Sequence, residues 1–273
     1  MIPKIIHYCW FGGNGIPPVF LDYINSWHKH LTGYKFILWD ESNFEIFSAP
    51  RYVQQAYQCR KFAFVADYVR LWALYKYGGI YLDTDVLLHK GFDDFLDNGF
   101  FSSIEYHHDM VRALGVKSNL DSTGSRLNHV NHIKGIGIQS AIFGAEKTHP
   151  YIYDCLHYYE DFCLITKDGS YHDDIILPDI LALCAEKYGF KYIEEEQCLQ
   201  KRIHIYPQVY FTGVTHTSEL TVATHCAHNS WRNKSLLQHV SIAANKSRIF
   251  RCIKSSSFFC GIREFIRKHV WFK

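Results

Sequence analysis

Apolar and polar positions follow one another along this chain in the order expected of an α/β protein. Short β-branched or aromatic runs bounded by Gly, Pro or Asp predict strands; they lie at 2–10, 34–39, 78–86, 100–104, 136–144, 203–211 and 221–228. Longer apolar runs predict helices at about 18–27, 59–77, 150–162 and 175–188. Because strands and helices alternate early in the chain, we expect a mainly parallel sheet.

The longest predicted helix, 59–77, stops at Gly78 and Gly79 and leads directly into an acidic strand. The sequence GGIYLDTDV ends with Asp83 and Asp85, and the period-two alternation of a strand predicts that both carboxylates face the same way. A hard cation such as Mg²⁺ or Mn²⁺ prefers oxygen ligands and often takes one or two carboxylates plus substrate phosphates. The alternative is a strand that leaves the core through an acidic turn.

Two polar residues, Asp67 and Arg70, interrupt the helix that precedes this strand. They are three residues apart and therefore share a helix face, which can bring them toward the acidic strand. A buried ion pair within the helix layer is the alternative. His225 or His228 is a candidate third metal ligand, although with 17 histidines in the chain a structural or surface role is equally open.

The first strand ends in an aromatic segment before a glycine-rich loop. In an open α/β sheet, ligands bind beyond the carboxyl ends of strands, so Tyr8 and Trp10 are expected near the site. The loop has neither the G-K-[ST] ending of a P-loop nor a G-x-G-x-x-G pattern. Residues 105–134 are polar and rich in His and Asn, and we expect a loop that covers the substrate.

Composition limits the class of protein. With 273 residues, 48% of them hydrophobic, the chain can form one large α/β domain. The nine cysteines are odd in number and unclustered, which argues against a disulfide framework and favours a reducing compartment. The N-terminus has no apolar signal segment, and no run of about 18 apolar residues occurs. We therefore expect a cytoplasmic protein.

The net charge of +2 conceals a basic tail. Residues 246–273 hold eight Lys or Arg and one acid, which gives +7 and leaves 2 − 7 = −5 for the remainder. Apolar residues interleave with these cations, a pattern typical of an amphipathic helix on an anionic membrane surface; a helix packed on the body is the alternative. We divide the chain into a domain, 1–244, and a tail, 245–273. Nucleic-acid binding is not expected, because the body is acidic and no recognition motif accompanies the tail.

A metal-bound diphosphate leaving group suits phosphoryl or glycosyl transfer, because the cation neutralises charge on the departing oxygens. Phosphoryl transfer usually requires a P-loop or the kinase motifs, and neither is present. Glycosyl transfer from a nucleotide sugar is the better hypothesis.

Four blocks carry a family resemblance: IPKIIHYCWFGG, FVADYVRLWALYKYGGIYLDTDV, IGIQSAIFGAEKTHP and THCAHNSW. Together they resemble the family 32 glycosyltransferases, whose sugar-binding region contains a DXD motif and which include bacterial capsular and lipopolysaccharide transferases and yeast mannosyltransferases. They are more distantly similar to the glucosyltransferase domain of large clostridial toxins. The resemblance implies a Rossmann-like GT-A fold, a nucleotide-sugar donor that is most often UDP-linked, Mn²⁺ or Mg²⁺, and retention of anomeric configuration.

The resemblance also implies donor-binding roles. Trp10 matches an aromatic that stacks on the donor base, and Asp67 and Arg70 match a helix pair that holds sugar hydroxyls. Ser230 and Trp231 match a late pair that closes over the diphosphate.

The strand block supplies further matches. Tyr81 and Asp83 match residues that touch the ribose and the sugar, and Asp85 matches the direct metal ligand. We assign the metal to Asp83, Asp85 and His225. The family often has adjacent histidines before Ser-Trp, whereas His225 and His228 are separated in this chain, so the third ligand stays open between them.

The expected mechanism uses Asp83, Arg70 and Gln139 as catalytic residues. The acceptor hydroxyl attacks from the face of the departing diphosphate, while the metal, Arg70 and Trp231 hold the charge. Gln139 occupies a position where the family often has Asn; its amide oxygen would stabilise the oxocarbenium-like centre, or alternatively cap a loop. Asp173 or Asp174 are candidates for orienting the acceptor, and a carboxylate nucleophile for double displacement cannot be assigned.

The predicted function is therefore transfer of a hexose or N-acetylhexosamine from a UDP-sugar to a glycan or lipid-linked glycan acceptor in the synthesis of capsule, O-antigen or lipopolysaccharide. The tail at 246–273 would hold the enzyme at the inner face of the cytoplasmic membrane. The alternative is a non-catalytic nucleotide-sugar or carbohydrate-binding module of the same fold.

Overall fold

The structure is a computed structural model that describes residues 1–166, 169–171, 175–213 and 217–227. Six α-helices lie in these residues: Pro18–His30 (α1), Arg51–Gln58 (α2), Phe62–Tyr77 (α3), His108–Ala113 (α4), Pro150–Tyr158 (α5) and Leu177–Ala185 (α6). The same residues contain eleven strands: Ile5–Cys9 (β1), Lys35–Trp39 (β2), Gly79–Leu82 (β3), Val86–Leu88 (β4), Phe100–Tyr106 (β5), Ile136–Ile138 (β6), Ile142–Ala145 (β7), Gln197–Leu199 (β8), Ile203–Tyr206 (β9), Phe211–Gly213 (β10) and Ala223–His225 (β11).

The larger sheet has the strand order β2-β1-β3-β7-β5-β9-β8, with β6 beside β5. Strand β1 is parallel to β2 and β3, and β9 is parallel to β5. Strand β7 is antiparallel to both β3 and β5. The strands β3 and β5 therefore run in the same direction, and their carboxyl ends lie at one edge of the sheet.

The α/β class predicted from the sequence is confirmed by this sheet and its helices. The expectation of a mainly parallel sheet holds for β1, β2 and β3 but is wrong for the whole sheet. Strand β7 is antiparallel to β3, and β8 is antiparallel to β9. The strand and turn predicted at 136–144 are two strands, β6 and β7, and β7 lies beside β3 without a helical crossover.

A second sheet of three strands, in the order β10-β11-β4, joins the late chain to the middle of the chain. Strand β11 is parallel to β10 and antiparallel to β4, and His225 lies opposite Val86 in this register. The predicted strand at 203–211 is divided into β9 and β10 by Pro207 and the turn that follows it. The second sheet thus brings His225 beside the segment that follows β3.

Helix α3 is apolar on most of its surface because it lies between the sheet and other helices, packing against β1, α2 and α5. It ends where the backbone N–H of Gly78 donates to the carbonyl oxygen of Leu74, with Gly78 at φ 68°. Gly79 follows at φ 118°, and a Cβ atom there would lie 2.6 Å from the carbonyl oxygen of Ile5. Glycine is favoured at both positions because each has a positive φ, and because Gly79 passes too close to the backbone of β1 to carry a side chain.

Several boundaries differ from the sequence expectations. Helix α3 begins at Phe62 rather than near 59, and the polar segment 105–134 contains α4 and a short 3₁₀-helix, Val116–Asn119. The described residues belong to a unit of residues 1–228; the predicted boundary at 244/245 and the basic helical tail lie outside the described residues. Within the described residues, no helix is both long and apolar enough to cross a bilayer.

Candidate active site

The acidic pair lies in a turn at the carboxyl end of β3. Strand β3 ends at Leu82, and the N–H of Val86 donates to the carbonyl oxygen of Asp83 at 3.0 Å, which closes the turn. The N–H of Asp83 donates to the carbonyl oxygen of Ala141 at 2.9 Å. The expectation that strand alternation aligns Asp83 and Asp85 is therefore wrong in its cause, because a turn outside the strand positions them.

His225 completes a cluster of three potential metal ligands with these two carboxylates. Its Nε2 lies 3.3 Å from Asp85 Oδ1 and 3.9 Å from Asp83 Oδ2. One ligand atom from each of the three residues lies within 4.8 Å of the others. Two carboxylate oxygens and one imidazole nitrogen at this spacing could hold a divalent cation.

The two carboxylates of the cluster favour the protonated, positively charged form of His225. Burial would lower the pKa of His225, but Asp85, followed by Asp83, raises it above its usual value. The side chain of Asp85 is only 13% exposed, so its interaction with the His225 ring is partly shielded from water. A divalent ion bound in this cluster would take the place of the imidazolium proton.

Arg70 links α3 to the acidic turn. Its Nη2 lies 3.1 Å from Asp67 Oδ1 and 3.3 Å from Asp83 Oδ1. Nη1 donates to the carbonyl oxygen of Ser140 at 2.6 Å, and Nε donates to that of Ala66 at 3.1 Å. With 4% of its surface exposed, Arg70 is a fixed buried cation shared by two carboxylates.

Burial and the charge of Arg70 act in opposite directions on the protonation of Asp67. Burial raises the pKa of Asp67 to about 6, although Arg70 opposes this. The Arg70 guanidinium lies 4.5 Å from the centre of the Tyr81 ring, and the Tyr81 hydroxyl donates to Asp83 Oδ1 at 2.8 Å. Asp67, Arg70, Tyr81 and Asp83 thus form one connected network at the edge of the sheet, which brings together four of the predicted site residues.

Gln139 lies beside this network, buried between β6 and β7. Its side-chain oxygen accepts from the N–H of Ala141 at 2.9 Å, and its carbonyl oxygen accepts from the Ser102 hydroxyl at 2.7 Å. This is the loop-capping role that the sequence left open. The catalytic role of Gln139 stays a prediction, and it would have to use the remaining acceptor capacity of the same amide.

The two predicted aromatic residues of the first strand lie at its carboxyl end. Tyr8 is half-buried, with its ring centre 5.4 Å from that of Trp27. Trp10 follows β1, packs on Phe20 at 5.3 Å between ring centres, and donates from Nε1 to the carbonyl oxygen of Asn14 at 2.8 Å. Both are partly accessible, and their roles in donor binding stay predictions. The other predicted site residues, Asp173, Asp174, His228, Ser230 and Trp231, lie outside the described residues.

Sequence reasoning missed the contribution of the backbone at Ser140 and Ala141. Their carbonyl oxygens hold Arg70 and the N–H of Asp83. A carbonyl oxygen is common to every residue type, so only the proximity of IGIQSAIFG to a predicted strand end offered a signal.

The sequence comparisons identify the region that carries this network. Residues 17–101 match the family described as a glycosyltransferase sugar-binding region containing a DXD motif. The predicted resemblance to DXD glycosyltransferases is confirmed. The matched range holds Asp67, Arg70, Asp83 and Asp85, whereas His225 lies beyond it.

Named relatives are consistent with this family. An uncharacterised glycosyltransferase of Acanthamoeba polyphaga mimivirus is 36% identical over 110 residues, which cover 37% of this chain and 42% of the relative. Inositol phosphoceramide mannosyltransferase 1 of Schizosaccharomyces pombe is 28% identical over 166 residues, which cover 57% of this chain and 42% of the relative. The chain thus spans less than half the length of these curated relatives.

The comparison with solved structures found matches at low identity and with TM-scores below 0.5. The PaToxG glycosyltransferase is 16% identical with a TM-score of 0.45, over 68% of this chain and 69% of that one. The galactosyltransferase LgtC, solved in complex with donor and acceptor sugar analogues, is 13% identical with a TM-score of 0.44, over 81% and 86%. The family and the named relatives agree with the predicted enzyme class, and the α/β sheet agrees with the predicted GT-A fold.

Proposed function

We propose that this chain is a metal-dependent, retaining glycosyltransferase that uses a nucleotide sugar. The observation that carries the proposal is the convergence of two groups at one sheet edge: the Asp83–Asp85–His225 cluster and the buried Asp67–Arg70–Tyr81 network, joined through Asp83. A cation in the cluster would supply charge neutralisation for a departing diphosphate. The adjoining network offers fixed acceptors and donors for sugar hydroxyls.

The chain's own residues would orient the donor. Asp67 and Asp83 offer carboxylate oxygens to sugar hydroxyls, because Arg70 holds both carboxylates from the buried side. Arg70 also places a positive charge beside the transferring sugar and needs no reorganisation during the reaction. Trp10, partly accessible at the end of β1, would stack on the donor base.

In the transfer step, a bond forms between an acceptor oxygen and the anomeric carbon while the bond from that carbon to the diphosphate oxygen breaks. The electron pair leaves with the diphosphate, and a diphosphate oxygen takes the hydroxyl proton. Gln139 would support the anomeric centre from the opposite side. The protein thus provides positioning and charge rather than a covalent nucleophile.

We further propose a UDP-linked hexose or N-acetylhexosamine as donor and Mn²⁺ as the cation. The imidazole of His225 supports Mn²⁺ over Mg²⁺, because nitrogen ligands suit the former better. A surface glycan or lipid-linked glycan is the proposed acceptor, at the inner face of the cytoplasmic membrane. The resemblance to capsular and lipopolysaccharide transferases and the basic composition of residues 246–273 support this part of the proposal.

The decisive experiment screens nucleotide sugars, including UDP-glucose, UDP-galactose, UDP-N-acetylglucosamine and GDP-mannose, for hydrolysis with Mn²⁺. We expect turnover of at least one donor, its loss with EDTA, and its loss in Asp85→Asn. Asp93→Asn is the matched control, because Asp93 is exposed and pairs with Lys4 away from the cluster. Tight donor binding with neither turnover nor metal dependence would instead identify a non-catalytic sugar-binding module, and full turnover in Asp85→Asn would refute the metal assignment.

A further inference from the structure

One carboxylate at the same sheet edge has no role in the metal cluster or in the Arg70 network. Glu105 lies near the carboxyl end of β5, which runs in the direction of β3 because both pair antiparallel with β7. Its strand neighbour Ile104 pairs with Ile138, one residue before Gln139. Glu105 therefore lies at the same edge of the sheet as the candidate site, one residue beyond the Ile104–Ile138 pair.

A side-chain hydrogen bond relates the end of β5 to the strands that deliver His225. The Ser103 hydroxyl donates to the carbonyl oxygen of Phe211 at 3.2 Å, which joins β5 to β10. Ser103 and Glu105 face the same way, because side chains of a strand alternate. On β10, Gly213 is two residues beyond Phe211 and lies opposite His225 of β11.

Glu105 is not one of the potential metal ligands. The cluster consists of Asp83, Asp85 and His225, without Glu105.

The side chain of Glu105 is both held and accessible. Its Oε1 lies 2.8 Å from His107 Nε2, and 20% of the side chain is exposed. Glu105 raises the pKa of His107, first through this hydrogen bond, so the pair favours an imidazolium beside a carboxylate. His107 is itself fixed, because its N–H donates to the carbonyl oxygen of Gly135 at 2.8 Å. One oxygen of Glu105 is held by His107, which leaves acceptor capacity on the carboxylate.

We propose that Glu105 binds the acceptor: its carboxylate accepts a hydrogen bond from a hydroxyl group of a pyranose, next to the hydroxyl that attacks. This inference rests on the proposed glycosyltransferase function. In retaining transfer the acceptor approaches on the face of the leaving diphosphate, and the metal cluster defines that face. A carboxylate at the end of β5, near the strands β10 and β11 that deliver His225, is where an acceptor ring would lie. The proton of the attacking hydroxyl still goes to the diphosphate, so Glu105 orients the acceptor and takes no proton.

The test separates transfer from hydrolysis of the donor. The probes are the methyl glycosides of glucose, galactose, mannose and N-acetylglucosamine, offered with the donor that the wild-type protein hydrolyses. In Glu105→Gln we expect transfer to the accepted probe to fall at least 10-fold through a higher acceptor KM. Hydrolysis by water, the donor KM and the Kd for Mn²⁺ should stay within about 2-fold, since an amide retains the shape but loses the charge-assisted hydrogen bond.

Two further variants keep the test independent of folding. Glu196→Gln removes the charge from a second His–Glu pair, in which His204 Nε2 on β9 lies 2.6 Å from Oε1 of Glu196, the residue before β8. This variant should leave transfer unchanged. His107→Gln should raise the acceptor KM by a smaller factor, because the carboxylate remains but is held less firmly. Melting temperatures of all variants are measured beside the kinetics.

The outcomes are distinct. Absence of Mn²⁺-dependent hydrolysis in the wild-type protein contradicts the proposed function itself. Hydrolysis in the wild type combined with unchanged transfer in Glu105→Gln, or with no transfer to any probe, overturns the acceptor role. A parallel fall of hydrolysis, transfer and Mn²⁺ affinity in Glu105→Gln would overturn it as well, because it would assign Glu105 to the metal instead.

Discussion

Replacing Arg70 by methionine tests the buried network most directly. Methionine keeps most of the apolar stem but removes two ion pairs, to Asp67 and Asp83, and two hydrogen bonds, to the carbonyl oxygens of Ala66 and Ser140. Breaking a buried pair by removing one partner typically costs about 3–5 kcal/mol, because the remaining charge is left uncompensated. For a chain of this size we expect the melting temperature to fall by roughly 10 °C.

The loss of stability in Arg70→Met should depend on pH through the pKa of Asp67. Burial already raises the pKa of Asp67 to about 6, and Arg70 is the group that opposes this rise. Without Arg70 the folded-state pKa moves further above the unfolded value of about 4. A raised carboxyl pKa destabilises the folded protein at high pH, and the penalty disappears as pH falls through the folded pKa. Arg70→Met should therefore lose most stability at pH 8.5 and recover toward wild type at pH 5.5.

The assay is urea unfolding of a double-mutant cycle at both pH values. Asp67→Asn in the Arg70→Met background should restore about 2 kcal/mol at pH 8.5, since it removes the stranded charge. Arg126→Met is the matched control, because Arg126 binds Glu186 through two short hydrogen bonds at a more accessible position, with 19% of its side chain exposed. Equal losses in the two arginine variants, or a loss that Asp67→Asn leaves untouched at every pH, would refute the role of Arg70 as the buried counter-ion of Asp67.

Three further outcomes are expected. Burial lowers the pKa of His7 to about 4, so the free energy of unfolding should fall by roughly 3 kcal/mol as pH drops from about 6.5 toward 4. Urea titrations of His7→Gln should lack this pH dependence. An identical pH dependence in the variant would show that His7 is not its source. Gly79→Ala places a Cβ atom 2.6 Å from the Ile5 carbonyl oxygen at φ 118°, so it should lower the free energy of unfolding by at least about 2 kcal/mol. Gly33→Ala has φ 79° but no atom within 4 Å of the added Cβ, so it should lower it less. Calorimetry compares the two variants. Mn²⁺ at about 100 times its Kd should stabilise the protein by about 2.7 kcal/mol; an equal rise of melting temperature in Asp85→Asn would exclude the proposed site.

Local patterns in the sequence predicted the centre of the site well. The apolar run of α3, its double-glycine stop and the acidic end of β3 lie within one continuous stretch, and helical spacing alone put Asp67 and Arg70 on one face. These inferences depend on neighbours in sequence, where geometry is fixed by the period of the helix. The structure confirms the pairing of Asp67 with Arg70 and places Asp83 against the same guanidinium.

Long-range pairings were less accessible. The insertion of antiparallel β7 between β3 and β5 and the separate sheet that delivers His225 both depend on contacts between distant segments. In the sequence, Glu105 marks only the start of a polar segment, because β5 is related to His225 only through β10 and β11. Neither strand pairing leaves a periodic signal in a single sequence.

The backbone contacts at Ser140 and Ala141 have a consequence for how this site tolerates substitution. Arg70 and the acidic turn are held there by carbonyl oxygens, which are present whatever side chain the residue carries. Position 141 is buried and restricted in size, whereas position 140 is only partly buried and can change identity while its carbonyl continues to hold the guanidinium. Residue 140 can thus vary in sequence without moving the buried charges that its carbonyl oxygen holds.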